Sequence, residues 1–485
     1  MSCQTFVKNG ATLTIEAGVT IVSPKIASDG KAPALVIEKG AKIMAIGTAS
    51  APITFTTSET TKASSSWGGL ILLGNAPISQ TGGSNSVEGL PAGEGTYGGT
   101  NPSDSSGVLK YVRVWYGGSV IGRDNEINGI TFAGVGSGKV VENIEVAFNK
   151  DDGVEFFGGT VDVKRLSVIY ARDDAIDTDE GYQGRIQYAF VMLDRKSHHG
   201  TEMDSKTNGD LNSQPRSFPQ LYNALFVSTL QHSPDAQSSD DLIPAVMRLR
   251  EGTGGMFGNI VITNVANVGV YQDQCGDEVR TSDVPAPSTG RPNFLWFSQN
   301  NVIYGPGKPY DLKTGCSGLS SALRVDPNLI SVPDEISGDS GDKDFLDPRP
   351  ILKGAAFDNV DAVPQDGWFE ETAFKGAFGP KSSTDIWIDK YSWVAATDKL
   401  IKPETRIEVQ EKTKKESDDE LAAIIGGVVG GAALIGVIAA SYMYYQRRLI
   451  KQMYDRLVGD FQRSQMEMTS AKEHDEGKTV LAGTV

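Results

Sequence analysis

The residues of this chain that most clearly suggest chemistry are two pairs of adjacent aspartates, 22 residues apart. Asp151 and Asp152 form the first pair, and Asp173 and Asp174 form the second. Carboxylates one strand spacing apart, about 4.8 Å, repel each other by roughly 3–4 kcal/mol at an effective dielectric constant near 20. Such pairs persist when they bind a cation, share a proton or lie beside positive charge. We call these four residues the acidic ladder and predict that they bind a ligand.

Three interpretations of the acidic ladder stay open. In the first it is structural, because the same 22-residue step leads on to Arg195 and Lys196, whose charges would offset the aspartates. In the second it binds Ca²⁺, since hard oxygen ligands from successive turns suit that ion. The predicted calcium ligands are Asp173, Asp174, Asp177, Asp179 and Glu180.

The third interpretation is the cleavage of a polysaccharide. Two carboxylates are the minimum for glycoside hydrolysis, and aspartates on successive coils followed by a histidine resemble the arrangement in polygalacturonases. That resemblance implies a catalytic set of Asp152, Asp173, Asp174 and His199. The chain departs from that family's Asn-Thr-Asp and Gly-His-Gly motifs and lacks its later Arg-Ile-Lys. In their places stand Asn149-Lys150-Asp151-Asp152 and His198-His199-Gly200.

Short β-rich runs at a fixed spacing would position these residues. Residues 12–21 resemble residues 34–43 at an offset of 22, and the chain has 55 glycines among 485 residues. Apolar residues alternate within the runs, which is typical of a half-buried strand. A fixed period of this length indicates stacked coils, so we predict an all-β parallel β-helix rather than a β-sandwich. The same offset relates Ile144, Leu166 and Tyr188, and also Val146, Val168 and Phe190.

Several separated motifs carry a family resemblance. They include Asp151-Asp152-Gly153-Val154-Glu155-Phe156-Phe157-Gly158-Gly159, Asp177-Thr178-Asp179-Glu180-Gly181-Tyr182 and Gly376-Ala377-Phe378-Gly379-Pro380. In this order they resemble a family of poorly characterised bacterial and algal surface proteins with a pectin-lyase-like β-helix. The resemblance implies a right-handed helix, here with about 22 residues per coil, and a surface location. It implies no particular activity.

Residues 421–445 form an uncharged apolar stretch. As a helix it would be about 37 Å long, enough to cross a hydrocarbon core of about 30 Å. We predict one transmembrane helix, with the large domain extracellular or lumenal and the C-terminus cytoplasmic, in the plasma membrane or another endomembrane. Acidic residues before the stretch and Arg447-Arg448 after it favour this orientation. Residues 1–5 are not a signal sequence, so we expect a missing natural N-terminus, or else a cytosolic large domain.

The remaining predictions concern organisation. The predicted domains are a β-helix ectodomain (1–330), a cap on its last coil (331–400), a charged stalk (401–420), the span and a cytoplasmic tail (446–485). Small-residue spacing predicts a helix-dimer face in the span, unless its glycines merely reflect membrane-helix composition. Its residues are Gly426, Gly427, Gly430 and Gly431.

Two short sequence patterns each have two possible interpretations. Tyr454 and Leu457 have the Tyr-x-x-apolar spacing of an endocytic sorting signal, although the same residues fit one face of a short helix. Cys275 and Cys316 lie in one turn-rich region and are predicted to form a disulfide, with Cys3 left over. The alternative is three free thiols.

The predicted function follows from these parts. A net charge of −16 argues against binding nucleic acid. We predict a single-pass cell-surface protein whose β-helix binds extracellular glycan or matrix, with Ca²⁺ as a candidate cofactor and a homodimer formed through the span. The alternative is a membrane-tethered glycoside hydrolase or polysaccharide lyase that uses Asp152, Asp173 and Asp174.

Overall fold

The computed structural model describes residues 1–400 except 28–30, 88–89, 92, 123–124, 235–242, 277–293, 320, 335, 337–344 and 381–385. No helix in that part of the chain is long and apolar enough to span a membrane. The predicted stalk, span and tail lie outside the described residues. So do the proposed dimer and sorting residues, namely Gly426, Gly427, Gly430, Gly431, Tyr454 and Leu457.

Two parallel sheets form the walls of a β-helix. Short strands with branched and aromatic residues, separated by glycine-rich turns, suit parallel pairing between coils rather than hairpins. The strands of the first sheet, in order, are Thr5–Val7, Leu35–Ile37, Leu70–Leu73, Ile130–Ala133, Val154–Phe157, Ile176–Asp179, Thr201–Met203, Ala245–Leu249, Val268–Gln272 and Lys308–Leu312.

The second sheet contains the longer strands, many of which bend in the middle. The bend lies at a residue with positive φ, such as Asn143 (56°) and Asn223 (56°), so that one strand serves two faces of the coil. Its strands are Thr12–Ile15, Thr20–Ser23, Lys42–Ile46, Ile53–Thr57, Gly107–Trp115, Val140–Ala147, Val163–Ile169, Arg185–Met192, Gln220–Val227, Gly255–Gly258, Val261–Thr263, Leu295–Phe297 and Val302–Ile303.

Small elements complete the described part. Three antiparallel pairs join Asn85–Ser86 with Thr96–Tyr97, Val120–Gly122 with Asn125–Glu126, and Leu329–Ser331 with Asp347–Pro350. A 3-10 turn spans Ala355–Phe357 and a short α-helix spans Trp393–Ala396.

The core is the stack of apolar side chains between the sheets. Val154 and Phe156 alternate inward along their strand and are fully buried. Phe156 stacks on Phe132 of the preceding coil at 5.3 Å and on Tyr182 at 4.5 Å between ring centroids. Like side chains therefore stack coil upon coil, which fixes the register of the residues that face outward.

The 22-residue period holds only for some coils. Ile144 pairs with Leu166, and Glu155 pairs with Asp177. The next coil pairs Leu166 with Ala189, one residue beyond the predicted Tyr188. Later steps are longer still, because loops are inserted between the strands. The prediction of about 22 residues per coil is therefore wrong outside the middle of the β-helix.

The sequence repeat at the start of the chain corresponds to recurring turns between strands, and not to residues that stack one coil apart. Residues 12–21 resemble residues 34–43, yet Thr12 pairs with Lys42, which is 30 residues away. What recurs is a turn that needs a left-handed residue, a conformation that glycine adopts without strain. The turn glycines, with φ of +82° or +83°, are Gly10, Gly18 and Gly40.

Residues near the C-terminal end of the described chain lie along the side of the β-helix. We call residues 359–400 the flanking segment. Its Phe378 and Trp393 pack on outward-facing apolar residues of the second sheet, among them Phe190 and Val227. The predicted cap on the last coil is therefore wrong for this segment, because it covers an apolar face of the sheet rather than an open end.

The structure joins Cys275 and Cys316 in a disulfide with a Cα–Cα distance of 5.2 Å. Cys3 is free and exposed. The bridge links the loop after strand Val268–Gln272 to the turn after Lys308–Leu312, so it ties together the last two coils of the first sheet.

Candidate functional site

The outward positions of the first sheet carry a row of charged residues. In strand Val154–Phe157 the core takes Val154 and Phe156, which leaves Glu155 on the outer face. Successive coils place Asp177 and then Glu202 beside it, and Arg248 follows. We call this row, together with the acidic ladder that precedes its strands, the acidic face.

The first aspartate pair stacks on the second pair as predicted, but the next coil does not continue the predicted spacing. Asp152 Oδ1 accepts a hydrogen bond from the backbone N–H of Asp174 at 2.9 Å, 22 residues away. The following coil is three residues longer and brings His198 and His199 next to the second pair. His198 Nδ1 lies 3.0 Å from Asp173 Oδ1, and His199 Nδ1 lies 2.9 Å from Asp174 Oδ1.

The predicted cationic end of the ladder is therefore wrong. Arg195 and Lys196 lie exposed in the preceding turn, because the longer coil shifts the register by three residues. The two histidines occupy that place in a turn rather than a strand, so their rings lie side by side with centroids 4.0 Å apart. Histidine, not arginine or lysine, thus meets the aspartates.

Burial and mutual repulsion perturb the acidic face strongly. Burial, followed by the nearby charges of Asp177 and Asp151, raises the pKa of Asp152 well above its ordinary value. Burial and then Glu155 raise the pKa of Asp177 in the same way. Burial and then Asp204 raise the pKa of Asp179 to about 8. Several of these carboxyl groups therefore hold protons near neutral pH unless a cation offsets them.

Asp174 behaves in the opposite way. Burial acts to raise its pKa, but the charges and hydrogen bonds of His199 and His198 hold that pKa below its ordinary value. Burial likewise opposes the charge on His198, yet hydrogen bonds to Asp173 and Asp174 raise the pKa of His198 to about 11. A protonated His198 beside ionised Asp174 therefore lies directly next to carboxyl groups that resist ionisation.

Some of these oxygen atoms are spaced for a hard cation. One carboxylate oxygen from each of Asp152, Asp174 and Asp177 lies within 4.8 Å of the others, and the same holds for Asp151, Asp152 and Asp173. Calcium takes oxygen ligands at about 2.3–2.6 Å, so one ion fits between three such atoms. Asp177 Oδ1 is buried and has no hydrogen-bond partner in the described part of the chain.

Not every predicted calcium ligand joins these groups. Glu180 faces away from them and accepts hydrogen bonds from Gln80, Asn85 and Tyr97 at 2.6–2.8 Å. Asp179 accepts from the neighbouring backbone N–H of Glu180 at 2.6 Å. The structure thus brings together Asp173, Asp174 and Asp177 with the first aspartate pair, and places Glu180 in a separate network.

Comparison with known proteins agrees with the fold. Residues 1–288 match the family model described as a pectate-lyase-like β-helix domain. The chain belongs to that family. The match spans the acidic ladder, both histidines and Arg248, so the acidic face lies within the shared domain. Neither a curated protein nor a solved structure matches the chain.

Within this pectate-lyase-like domain, the four residues of the predicted catalytic set meet at one place, and three of them are buried. Asp152, Asp174 and His199 are buried, while 26% of the Asp173 side chain is exposed. The Asp152 oxygens lie within 4.8 Å of those of Asp173 and of Asp174. Two carboxyl groups are the minimum for glycoside hydrolysis, and the predicted set brings three of them together.

Sequence reasoning missed the basic part of this pectate-lyase-like face. The Arg248 side chain is 1% exposed and lies 3.0 Å from Glu202 and 2.8 Å from Asp273. Arg250 lies 2.7 Å from Asp204. No periodic signal pointed to either arginine, because a long insertion separates Glu202 from Arg248. Glu155 was also missed, although its offset of 22 from Asp177 could have identified it.

Proposed function

We propose that this protein binds extracellular glycan or matrix on its acidic face, with Ca²⁺ held by Asp152 and Asp174 of the acidic ladder together with Asp177. The observation that carries the proposal is the buried, unpaired Oδ1 of Asp177, which lies beside oxygens of Asp152 and Asp174. Grouped carboxylates without an adequate counter-charge are unstable unless a cation or a proton offsets them. Membership in a pectate-lyase-like family supports a carbohydrate ligand.

Calcium would be held by Asp152, Asp174 and Asp177. It would supply positive charge to the face and open coordination positions for oxygen atoms of a ligand. The chain's own residues prepare that site: the core stack sets the coil spacing, and the hydrogen bonds from His199 keep Asp174 ionised. Because the face is rich in carboxylates, an acidic polysaccharide could approach it only through such an ion.

The span and tail extend the proposal to the cell surface. One helix at residues 421–445 would anchor the β-helix outside the cell, with the stalk at 401–420 as a spacer and the tail at 446–485 in the cytoplasm. The paired glycines of the span would bring two copies together. A β-helix presents regularly spaced strands along its faces, an arrangement that suits an extended polymer.

Calcium-dependent thermal unfolding of the full-length chain tests the ion. We expect CaCl₂ to raise the melting temperature and EDTA to reverse the effect, because an ion that binds only the folded state stabilises it. Asp177→Asn should abolish the response. Glu180→Gln is the matched control, since it removes a neighbouring acid that lies outside the oxygen groups, and it should respond like the wild type. A calcium response that survives in Asp177→Asn would refute the site.

Glycan binding is tested with the same three proteins. The full-length chain, in a detergent without a sugar head group, is exposed to a panel of uronate-rich and neutral polysaccharides with calcium or with EDTA. We expect uronate-rich polymers to bind in calcium only, and Asp177→Asn to lose that binding. If no polymer binds in either condition, the proposed function is wrong.

A second candidate function is polysaccharide cleavage, which one observation favours. The pKa of Asp152 is raised and that of neighbouring Asp174 is lowered, and pairs driven apart in this way often divide acid and base roles. Release of reducing ends, or of unsaturated products that absorb in the ultraviolet, would reveal it. Turnover that disappears in Asp173→Asn would favour the enzyme, and calcium-dependent binding without turnover would exclude it.

A further inference from the structure

Two adjacent histidines form a group with Asp174 at the end of the acidic ladder. One nitrogen from each of His198 and His199 and one oxygen of Asp174 lie within 4.8 Å of one another. All three side chains are buried. We call them the histidine–aspartate group. The calcium site proposed above uses carboxylate oxygens alone, so neither imidazole of this group is a ligand there.

The donor atoms of the histidine–aspartate group are spaced as they would be around a single metal ion. Zn²⁺ binds histidine nitrogen at about 2.0–2.1 Å and carboxylate oxygen at about 2.0–2.2 Å. Two such donors on one ion therefore lie about 2.8–3.6 Å apart, for angles from octahedral to tetrahedral. Asp174 Oδ1 lies 2.9 Å from His199 Nδ1 and 3.6 Å from His198 Nδ1. Both distances fall within that range.

The turn that carries the two histidines is fixed by hydrogen bonds on both sides. His232 Nε2 donates to the Ser197 carbonyl at 2.8 Å and to the His198 carbonyl at 3.1 Å. The backbone N–H of His199 donates to Asp174 Oδ1 at 2.7 Å. The backbone of the turn is thus held against the carboxylate before any ion arrives, and such preorganisation lowers the cost of binding.

The types of donor select the class of ion. Two imidazole nitrogens and one carboxylate suit zinc and neighbouring transition metals, whereas calcium takes oxygen ligands. Asp174 belongs both to this group and to the group with Asp152 and Asp177. A carboxylate has two oxygens and can bind one ion through each, so the two sites are compatible. The adjacent Asp173 side chain is 26% exposed, so the group lies directly beneath the surface.

We propose that His198, His199 and Asp174 bind a divalent transition-metal ion such as Zn²⁺. The ion would replace the hydrogen bonds between the two imidazoles and Asp174, and the displaced protons would pass to solvent. This site goes beyond the proposed function, because it uses nitrogen ligands and needs neither Asp152 nor Asp177. It would fix the histidine turn against the acidic ladder, at the step where the coil is three residues longer.

Titration of the full-length chain with Co²⁺ tests the site. Co²⁺ is a coloured substitute for Zn²⁺, because a cobalt site with few ligands absorbs visible light more strongly than the hydrated ion. The protein is purified without a histidine tag, in a buffer that does not chelate metals. We expect one cobalt band that saturates at one ion per chain, and that Zn²⁺ removes but excess Ca²⁺ does not.

Two substitutions each remove one nitrogen ligand, namely His198→Gln and His199→Gln. Even changes to the residues that orient a ligand weaken metal binding by about 10–100-fold. Each of these substitutions should therefore weaken cobalt binding by about 100-fold or more. X-ray absorption by the zinc-loaded wild type counts the imidazole ligands without any substitution, and we expect two.

Three controls separate this site from other binding. His474→Gln makes the same change at a histidine of the tail, and Cys3→Ser removes an exposed free thiol that could also bind these ions. Both should leave the cobalt band unchanged. Asp177→Asn should also keep the band while it loses the calcium response. A failure of the calcium site and a failure of this site are therefore distinguishable.

Several outcomes would overturn the proposal. These are the absence of a cobalt band, fewer than two imidazole ligands on the zinc ion, or loss of the band in His474→Gln or Cys3→Ser. The same conclusion follows if the band survives His198→Gln or His199→Gln in a protein with the thermal unfolding of the wild type.

Discussion

Replacing Glu145 by glutamine tests how burial controls the docking of the flanking segment. Glu145 is fully buried on the outer side of the second sheet and accepts hydrogen bonds from Trp115 Nε1 at 2.9 Å, the Trp393 N–H at 2.7 Å and Ser167 Oγ at 3.0 Å. Glutamine keeps an acceptor oxygen for both tryptophans, and its amide can donate to Ser167. Glu145→Gln therefore removes the ionisable proton and little else.

The magnitude follows from the pKa of this carboxyl group. Burial raises the pKa of Glu145 from 4.5 to about 7, although its hydrogen bonds act in the opposite direction. The folded chain then holds a proton that the unfolded chain releases, so the stabilising contribution is complete below pH 4.5 and is lost as the pH rises through 7. At 1.36 kcal/mol per pKa unit, the loss between pH 5 and pH 8 is about 2.5 kcal/mol.

Urea unfolding of the full-length wild type and of Glu145→Gln, followed by tryptophan fluorescence from pH 5 to pH 8, measures this contribution. Other titrating groups occur in both proteins and cancel in the difference. We expect the variant to gain about 2.5 kcal/mol of unfolding free energy on the wild type across that range. Glu142→Gln is the matched control on the same strand. It breaks ion pairs with Lys110 and Arg165 and should destabilise slightly. A gain for Glu145→Gln that does not change with pH would refute the reasoning.

Three further predictions concern other parts of the molecule. Arg248→Met should lower the urea unfolding free energy by about 3–5 kcal/mol, because it leaves buried Asp273 without the arginine that pairs with it and leaves Glu202 with Arg250 alone; an unchanged midpoint would contradict that pairing. Cys316→Ser opens a loop of 41 residues and should cost about 4 kcal/mol in the same assay, and reductant added to the wild type must reproduce the loss. Gln187→Ala removes two hydrogen bonds to the backbone of Glu370 in the flanking segment, each worth about 1 kcal/mol. Limited proteolysis near Glu370 should then become faster, whereas an unchanged cleavage rate would mean that these hydrogen bonds are not needed.

The sequence predicted the type of fold because core residues repeat at the spacing of the coils. Ile144 and Leu166, or Asp152 and Asp174, could be placed from their offset of 22, since no loop is inserted between them. The prediction failed where the turns change length. Three extra residues before His198 moved the register away from Arg195, and nothing in a single sequence marks how many residues a turn absorbs.

The candidate site was predictable for the same residues and for the same reason. The first aspartate pair lies one regular coil from the second, so their contact followed from the period. Arg248 belongs to the same row but lies 46 residues after Glu202, more than twice the period of 22. The pairing of Arg248 with Glu202 depends on how the strands of successive coils align in the folded protein. No local sequence pattern or fixed offset would have predicted it.

The position of the flanking segment had a signal in the sequence that the period argument overlooked. Strand Arg185–Met192 is buried along nearly its whole length, with Ala189, Phe190 and Val191 all buried in succession. A strand that faces water on one side alternates, whereas a continuous apolar run indicates cover on both sides. Strand Ile176–Asp179 in the first sheet does alternate, with Asp177 and Asp179 facing outward. The burial patterns therefore distinguish the part of the second sheet that the flanking segment covers from the charged stretch of the first sheet around Asp177.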